Sequence, residues 1–317
     1  MTSQAITQAD PSEGLFEKAL ATQDFIARWL DHERMRGQSN KTLEAYRRGF
    51  DRFGRWLVDQ GIREPGAREI AQFKSDLSGR YAVQTVNLAL SAVRSFYRFL
   101  VEVGALEYSP AGDVRGVKRS KSTRHKRSAL TRSEVRAVLD TCDQTTAGIR
   151  DKAILTLMAY CGLRTVEIRR ADVSNLGTEG ERMVLHVQGK GHIEADEIAV
   201  IPRSQEPVIR AWLAERRRLD PQSRALFVSL SHRTLGRRLS ARAIRDIVTS
   251  RYDQAGILGD NKTTHSLRHT AITQAIKSGG SPMQVQAMAR HASFDTTLGY
   301  IHEVNRVDNP AEDLISY

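Results

Sequence analysis

One interval sets the plan of this chain. Between Asp113 and Glu134 there is no acidic residue, while Arg115, Lys118, Arg119, Lys121, Arg124, Lys126, Arg127 and Arg132 crowd the same stretch. Ser109-Pro110-Ala111-Gly112 stands just ahead of it and ends whatever helix precedes it, because proline has no N–H to give and glycine favours the turn. The interval reads as a spacer between two folded parts. The expected organisation is a flexible tail over 1–20, a helical domain over 21–110, a basic linker over 111–128 and a second domain over 129–317.

Charge says what such a spacer faces. The chain of 317 residues carries a formal net charge of +11. That excess points to a polyanionic partner, nucleic acid by default. A solvated linker is the plain alternative, but on so basic a chain the segment fits better as a strap along a phosphate backbone. An anionic membrane surface is the rival, yet no basic amphipathic helix or lipidation signal stands out. The longest apolar run, near 153–163, is too short to span a bilayer. Residues 1–14 lack the basic-then-apolar order of a secretory signal. With only Cys142 and Cys161, both placed on expected helices, reduced thiols are the simple reading.

The first domain reads as all helix. A helix is expected over 23–33, with Phe25, Ile26, Trp29 and Leu30 on one side. Asn40 is the expected cap of the next, whose apolar residues Leu43, Tyr46, Phe50, Phe53 and Leu57 follow the helical period. Its other face carries Lys41, Arg47, Arg48, Arg52 and Arg55. Such a face is often merely solvated; the overall charge makes it a DNA-facing candidate. Shorter and longer helices follow over 68–77 and 83–103.

The second domain opens on a capping-box pattern, Thr131 with Glu134. A helix over 149–160 is apolar on most sides and is therefore expected at the centre. Arg164 follows at its exit. Two strands, over 183–187 and 198–201, flank the Gly189-Lys190-Gly191 turn, so Lys190 is expected at a hairpin tip. Helices then follow over 206–219, 241–255 and 264–277. Ser278-Gly279-Gly280 ends the last of these, and Ser281-Pro282 opens another with serine as cap and proline at the first helical position. The resulting hairpin can return His291 beside Arg268. The fold class is mainly α with a small antiparallel β-sheet.

Six residues now stand in one order: Arg164, Lys190, His265, Arg268, His291 and Tyr300. In Gly162-Leu163-Arg164-Thr165-Val166-Glu167, Gly189-Lys190-Gly191, His265-Ser266-Leu267-Arg268-His269, His291 and Tyr300, the sequence resembles the tyrosine recombinases, the lambda-integrase family, over nearly its whole length. The resemblance implies an N-terminal helical, SAM-like core-binding domain and a C-terminal α+β catalytic domain closing as a clamp on duplex DNA. It implies that all six residues are catalytic and that Glu167 is a supporting acid. One departure is visible: the family usually has Leu-Gly-His where this chain has Ala289-Arg290-His291. Arg290 is therefore expected either to alter the start of the following helix or to reach a phosphate.

The chemistry follows from the residue types. The transition state of phosphodiester cleavage gathers negative charge on the non-bridging oxygens. Arg164 and Arg268 can hold those oxygens with charge-assisted bonds that deprotonation does not remove. His265 and His291 can donate to the same oxygens, and His265 can move the nucleophile's proton. Tyr300 is the expected nucleophile; a free phenol ionises only near about 10, so it also leaves readily and the step is reversible. Lys190 fits the acid for the departing 5′ oxygen. The implied 3′-phosphotyrosyl link stores the bond, so no cofactor is expected, neither ATP nor metal. His265 and His269 have the i, i+4 spacing of zinc helices, but no third ligand presents itself.

The implied partners are double-stranded recombination sites and a homotetramer on DNA, or a ring shared with a paralogous recombinase, working through a Holliday junction. The implied setting is the cytoplasm, at the bacterial nucleoid. The basic residues expected on DNA are Lys41, Arg47, Arg48, Arg52, Lys118, Arg119, Lys121, Arg124, Lys126 and Arg127. Two other readings are distinct: relaxation of DNA as by type IB topoisomerases, and DNA binding with an inactive site.

Overall fold

A computed structural model describes residues 23–118, 129–189, 194–257, 259 and 262–308. The chain divides into two compact units, Met1–Lys121 and Ser122–Tyr317.

In the first unit four helices are described: α1 (Gln23–Met35), α2 (Asn40–Gln60), α3 (Ala67–Ser78) and α4 (Val83–Glu102). Aromatic residues on one stripe of each build the core. Trp29 is fully buried against Phe50 and Phe96, at ring-centroid distances of 5.3 and 5.5 Å, and its indole N–H donates to the Ser95 hydroxyl at 2.9 Å. The cap of α2 corrects the sequence reading: Ser39, not Asn40, ends the extended segment, and its hydroxyl accepts the Thr42 N–H at 3.2 Å. Asn40 is already inside the helix. Gly61 stops α2 in the left-handed conformation, φ 65°.

The contact between α2 and α4 is set by Gly49. A Cβ placed there would lie 3.0 Å from Ala89 Cα and 3.1 Å from Ala92 Cβ. The two backbones approach too closely for a larger side chain. Gly49→Leu is therefore expected to destabilise this unit by about 2 kcal/mol through overpacking, seen as an earlier urea midpoint. An unchanged midpoint would mean that α2 and α4 separate without cost.

The second unit is built around α6 (Thr146–Tyr160). Its residues from Ala153 to Ala159 are all buried, which explains its apolarity on every side. Packed near it are α5 (Arg132–Asp140), α7 (Thr165–Arg170), α8 (Glu206–Arg218), α9 (Ala241–Gln254) and α10 (Thr264–Lys277). The expected capping box of Thr131 and Glu134 is present at the start of α5. Asp151, buried on α6, accepts from Arg150 and Arg251, each at 2.7 Å, and so ties α9 to the central helix. The last two helices are α11 (Pro282–Ala289) and α12 (Phe294–Asp308).

The sheet has three antiparallel strands, in the order β1 (Leu176–Glu179), β2 (Arg182–Val187), β3 (Glu197–Val200). The sequence suggested only the last two. β1 has a single large apolar residue and becomes a strand through its register with β2, Leu176 opposite Leu185. Both cysteines are buried and unbridged, but neither lies within a helix. Cys142 follows α5, and Cys161 caps α6, where burial pushes its thiol up to about 12. No described helix is long and apolar enough to cross a membrane.

Candidate active site

The site starts where α6 stops. Gly162 takes a left-handed turn, φ 61°, directly after Cys161. Arg164 then caps α7 in extended conformation. Its backbone N–H donates to Glu167 Oε2 at 2.8 Å and its Nη1 donates to Glu167 Oε1 at 2.5 Å. A single carboxylate thus fixes both the helix start and the guanidinium. Glu167 is 1 % exposed. Burial alone would raise its pKa, but Arg290, the Arg164 N–H and the Arg164 charge outweigh that and hold it below the usual carboxylate range.

Arg268 enters from α10. That helix starts at Thr263, whose N–H donates to the Ser266 hydroxyl at 3.1 Å and whose own hydroxyl accepts the His265 N–H at 3.2 Å. Arg268 is 5 % exposed. Its Nη1 donates to the Gly162 carbonyl at 2.5 Å and its Nη2 to the Ala289 carbonyl. The hairpin α10–α11 therefore does return the 289–291 segment to Arg268. Burial, and then the neighbouring Arg164 charge, lower the Arg268 pKa to about 10, which leaves it protonated at neutral pH.

Arg164 Nη2 donates to the Arg290 carbonyl at 2.9 Å, so both arginines grip the same turn. His291 follows, half-buried, sharing a hydrogen bond of 2.9 Å between Nδ1 and the Thr297 hydroxyl. Tyr300 lies inside α12, nearly two turns beyond its start. The Tyr300 ring stacks on His291, centroids 5.9 Å apart and planes 21° apart, and meets His269 edge-on at 4.9 Å.

Arg164, Glu167, Arg268, His291 and Tyr300 are thus gathered in one place. His265 sits one turn before Arg268 on α10, with an exposed side chain. It and His269 take different courses: His269 is buried and shares a 3.2 Å hydrogen bond with Thr273. Among the described residues no three His, Cys, Asp or Glu side chains are placed to hold a metal. Lys190 lies outside the described residues. The chain leading to it is held by Arg170, whose Nη1 donates to the Gly189 carbonyl at 3.2 Å.

Arg290 takes a place that neither expectation described: it caps α11 in the left-handed conformation and its side chain is buried against Glu167. Three further residues escaped the sequence reading as members of this cluster. Arg290 drew notice as a departure that alters a helix start or reaches a phosphate, and His269 as the end of a motif and half of a zinc spacing, neither with a role in holding the other side chains. Thr297 carried no signal, being one of two adjacent threonines. It is fully buried, and Thr297→Val is expected to slow DNA cleavage roughly fivefold to tenfold by removing one hydrogen bond from His291. An unchanged single-turnover rate would show that the hydroxyl does not orient the imidazole.

In the helical unit, Lys41, Arg47 and Arg48 are exposed along α2. Arg52 is half-buried, its guanidinium 4.6 Å from the Tyr81 ring centroid. Lys118 is exposed; Arg119, Lys121, Arg124, Lys126 and Arg127 lie outside the described residues.

Comparison with known proteins agrees in both units. Residues 128–306 match the profile of the phage integrase family, and residues 26–104 match the phage integrase N-terminal SAM-like domain. The tyrosine recombinase XerC of Haemophilus influenzae is 30 % identical over 285 residues, covering 87 % of this chain and 92 % of its own. The tyrosine recombinase XerD of Lacticaseibacillus casei is 30 % identical, covering 89 % and 94 %. Among solved structures, the XerH recombinase in a post-cleavage complex with its palindromic difH substrate superposes with a TM-score of 0.71 at 17 % identity, covering 86 % of this chain and 78 % of that one. A lambda integrase tetramer bound to a Holliday junction gives 0.62 at 16 % identity, covering 87 % and 76 %. At these identities the structural likeness concerns the fold.

Proposed function

The chain belongs to the phage integrase family and is a site-specific DNA recombinase, and from that premise we propose that Tyr300 is its nucleophile, acting on a phosphate held by Arg164, His265, Arg268 and His291. One observation carries the assignment: the Tyr300 ring lies against His291, whose turn both Arg164 and Arg268 grip. A phosphate over that turn meets cationic donors from α7 and α10 and the phenol from α12.

The Tyr300 oxygen attacks phosphorus and gives its proton to His265. The bond to the 5′ oxygen breaks, and that oxygen takes a proton from Lys190. The product is a 3′-phosphotyrosyl link and a free 5′ hydroxyl. A 5′ hydroxyl from another strand reverses the step, with no net loss of phosphodiester bonds. Arg164 and Arg268 neutralise the charge that grows on the non-bridging oxygens. Glu167 orients Arg164. Exposed Lys41, Arg47, Arg48 and Lys118, together with Arg52 and the basic residues of 119–127, hold the duplex by its phosphates. Exchange through a Holliday junction in a four-subunit ring, of this chain alone or with a paralogous recombinase, belongs to the same reading. The nature of the relatives favours it over simple relaxation and over binding without cleavage.

A DNA duplex carrying a recombination site, nicked so that the cleaved fragment escapes, tests it. The expected product is a covalent protein–DNA adduct whose modified peptide contains Tyr300. Absence of the adduct, or attachment at another residue, overturns the assignment. Binding is also expected to weaken steeply with salt, by roughly 10³-fold or more between 50 and 200 mM if six or more phosphates are contacted; a flat response would remove the basic residues from the DNA contact.

A further inference from the structure

Arg290 is held in place against two costs. Its backbone is left-handed, φ 52° and ψ 53°, a region that favours glycine. Its Nε is buried without a hydrogen-bond partner among the described residues. The rest of the guanidinium, with the side chain 3 % exposed, is fully engaged. Nη2 donates to Glu167 Oε2 at 3.0 Å and to the Gly162 carbonyl at 3.3 Å; Nη1 donates to the Met288 carbonyl at 2.7 Å and the Cys161 carbonyl at 3.4 Å.

These partners are the ones the phosphate arginines use. Glu167 is shared with Arg164: the Arg164 guanidinium takes Oε1, and the Arg164 N–H shares Oε2 with Arg290. The Gly162 carbonyl is shared with Arg268. The Arg290 carbonyl accepts from Arg164. Arg290 thus touches both arginines through common acceptors without itself facing outward. A plain helix-capping role accounts for the Met288 carbonyl and for the Cys161 carbonyl at the end of α6. It does not account for a buried ion pair to a carboxylate on another helix.

We propose that Arg290 is a positioning residue of the phosphate pocket: by taking one oxygen of Glu167 it keeps the carboxylate from neutralising Arg164, and it sets the Gly162 carbonyl that fixes Arg268. This rests on the reading of Arg164 and Arg268 as phosphate-holding groups. With Arg290 present, the buried cluster of three guanidiniums and one carboxylate carries a surplus of positive charge for the incoming anion. Without it, the whole carboxylate charge falls on Arg164, which is drawn onto Glu167 and away from the phosphate.

The test uses the full chain and the nicked substrate in four forms: wild type, Arg290→Gly, Glu167→Gln, and the two combined. Glycine suits the left-handed backbone, so Arg290→Gly is expected to melt cooperatively. It is expected to lower the single-turnover cleavage rate at saturating DNA on the order of tenfold or more, while the Kd for DNA stays within about twofold. Glu167→Gln leaves Arg290 buried without its counter-ion and is expected to be slow. Adding Arg290→Gly to Glu167→Gln is expected to raise the rate, a reversal of sign that a capping role would not produce. An Arg290→Gly rate within twofold of wild type, the same loss in both backgrounds, or loss of cooperative melting overturns the proposal. A wild type that forms no adduct overturns the reading of Tyr300 and this one with it; an active wild type matched by Arg290→Gly overturns this one alone.

Discussion

Tyr300→Phe is expected to abolish the covalent adduct, with cleavage down by about 10⁴-fold or more, while DNA binding stays within about twofold. The substitution removes one oxygen. The ring keeps its contacts with His269 and His291, which hold it in place on α12. Without the phenol there is no protein oxygen to hold the phosphate, and a water in its place would yield a hydrolysed end rather than a stored bond. Two measurements on the same preparation decide it: adduct on the nicked duplex, and a binding isotherm. An adduct that persists in Tyr300→Phe would place the nucleophile elsewhere. Loss of binding together with cleavage would make the residue a packing element.

Glu167→Leu is expected to have the largest effect on stability. The carboxylate is buried and pairs with Arg164 and Arg290. Removing it leaves one fully buried and one partly buried guanidinium without a counter-ion, a loss of about 3–5 kcal/mol for the catalytic unit. The effect has a pH signature. The folded-state pKa of Glu167 lies below its unfolded value. Its contribution is therefore complete above the ordinary carboxylate range, near about 4.3, and is lost as pH falls through the lower folded value. Urea unfolding of wild type and Glu167→Leu at stepped pH is expected to show a gap that is wide at pH 7 and narrows in acid. A gap independent of pH would mean that the side chain contributes packing rather than charge.

How much of this was legible in advance depends on the range of the force involved. Helices were read well because their signals are local. The period of Leu43, Phe50, Phe53 and Leu57, the box of Thr131 and Glu134, and the Ser281-Pro282 start each act within a turn or two, and the structure has them all. Asn40 failed for a related reason: Ser39 beside it has the same capping chemistry, and the approach of the chain selects between them. β1 failed because Leu176–Glu179 has almost no pattern of its own and is a strand only through pairing with β2.

By itself the sequence determined the two-part plan, the helical character, the positive charge and the order of six candidate site residues. These depend on composition, on local periodicity and on chemistry that one residue type performs. Only the tertiary structure decided how the site is tied together. Arg290 and Glu167 are distant in sequence, on separate helices, and pair because burial makes an uncompensated charge costly. Thr297 and His269 join the site because the return of α11 and α12 places His291 and Tyr300 beside them. A departure read from the sequence as an altered helix start or a phosphate contact is, in the fold, a buried cation, since the carboxylate and the carbonyls that hold it exist as a group only after the helices pack.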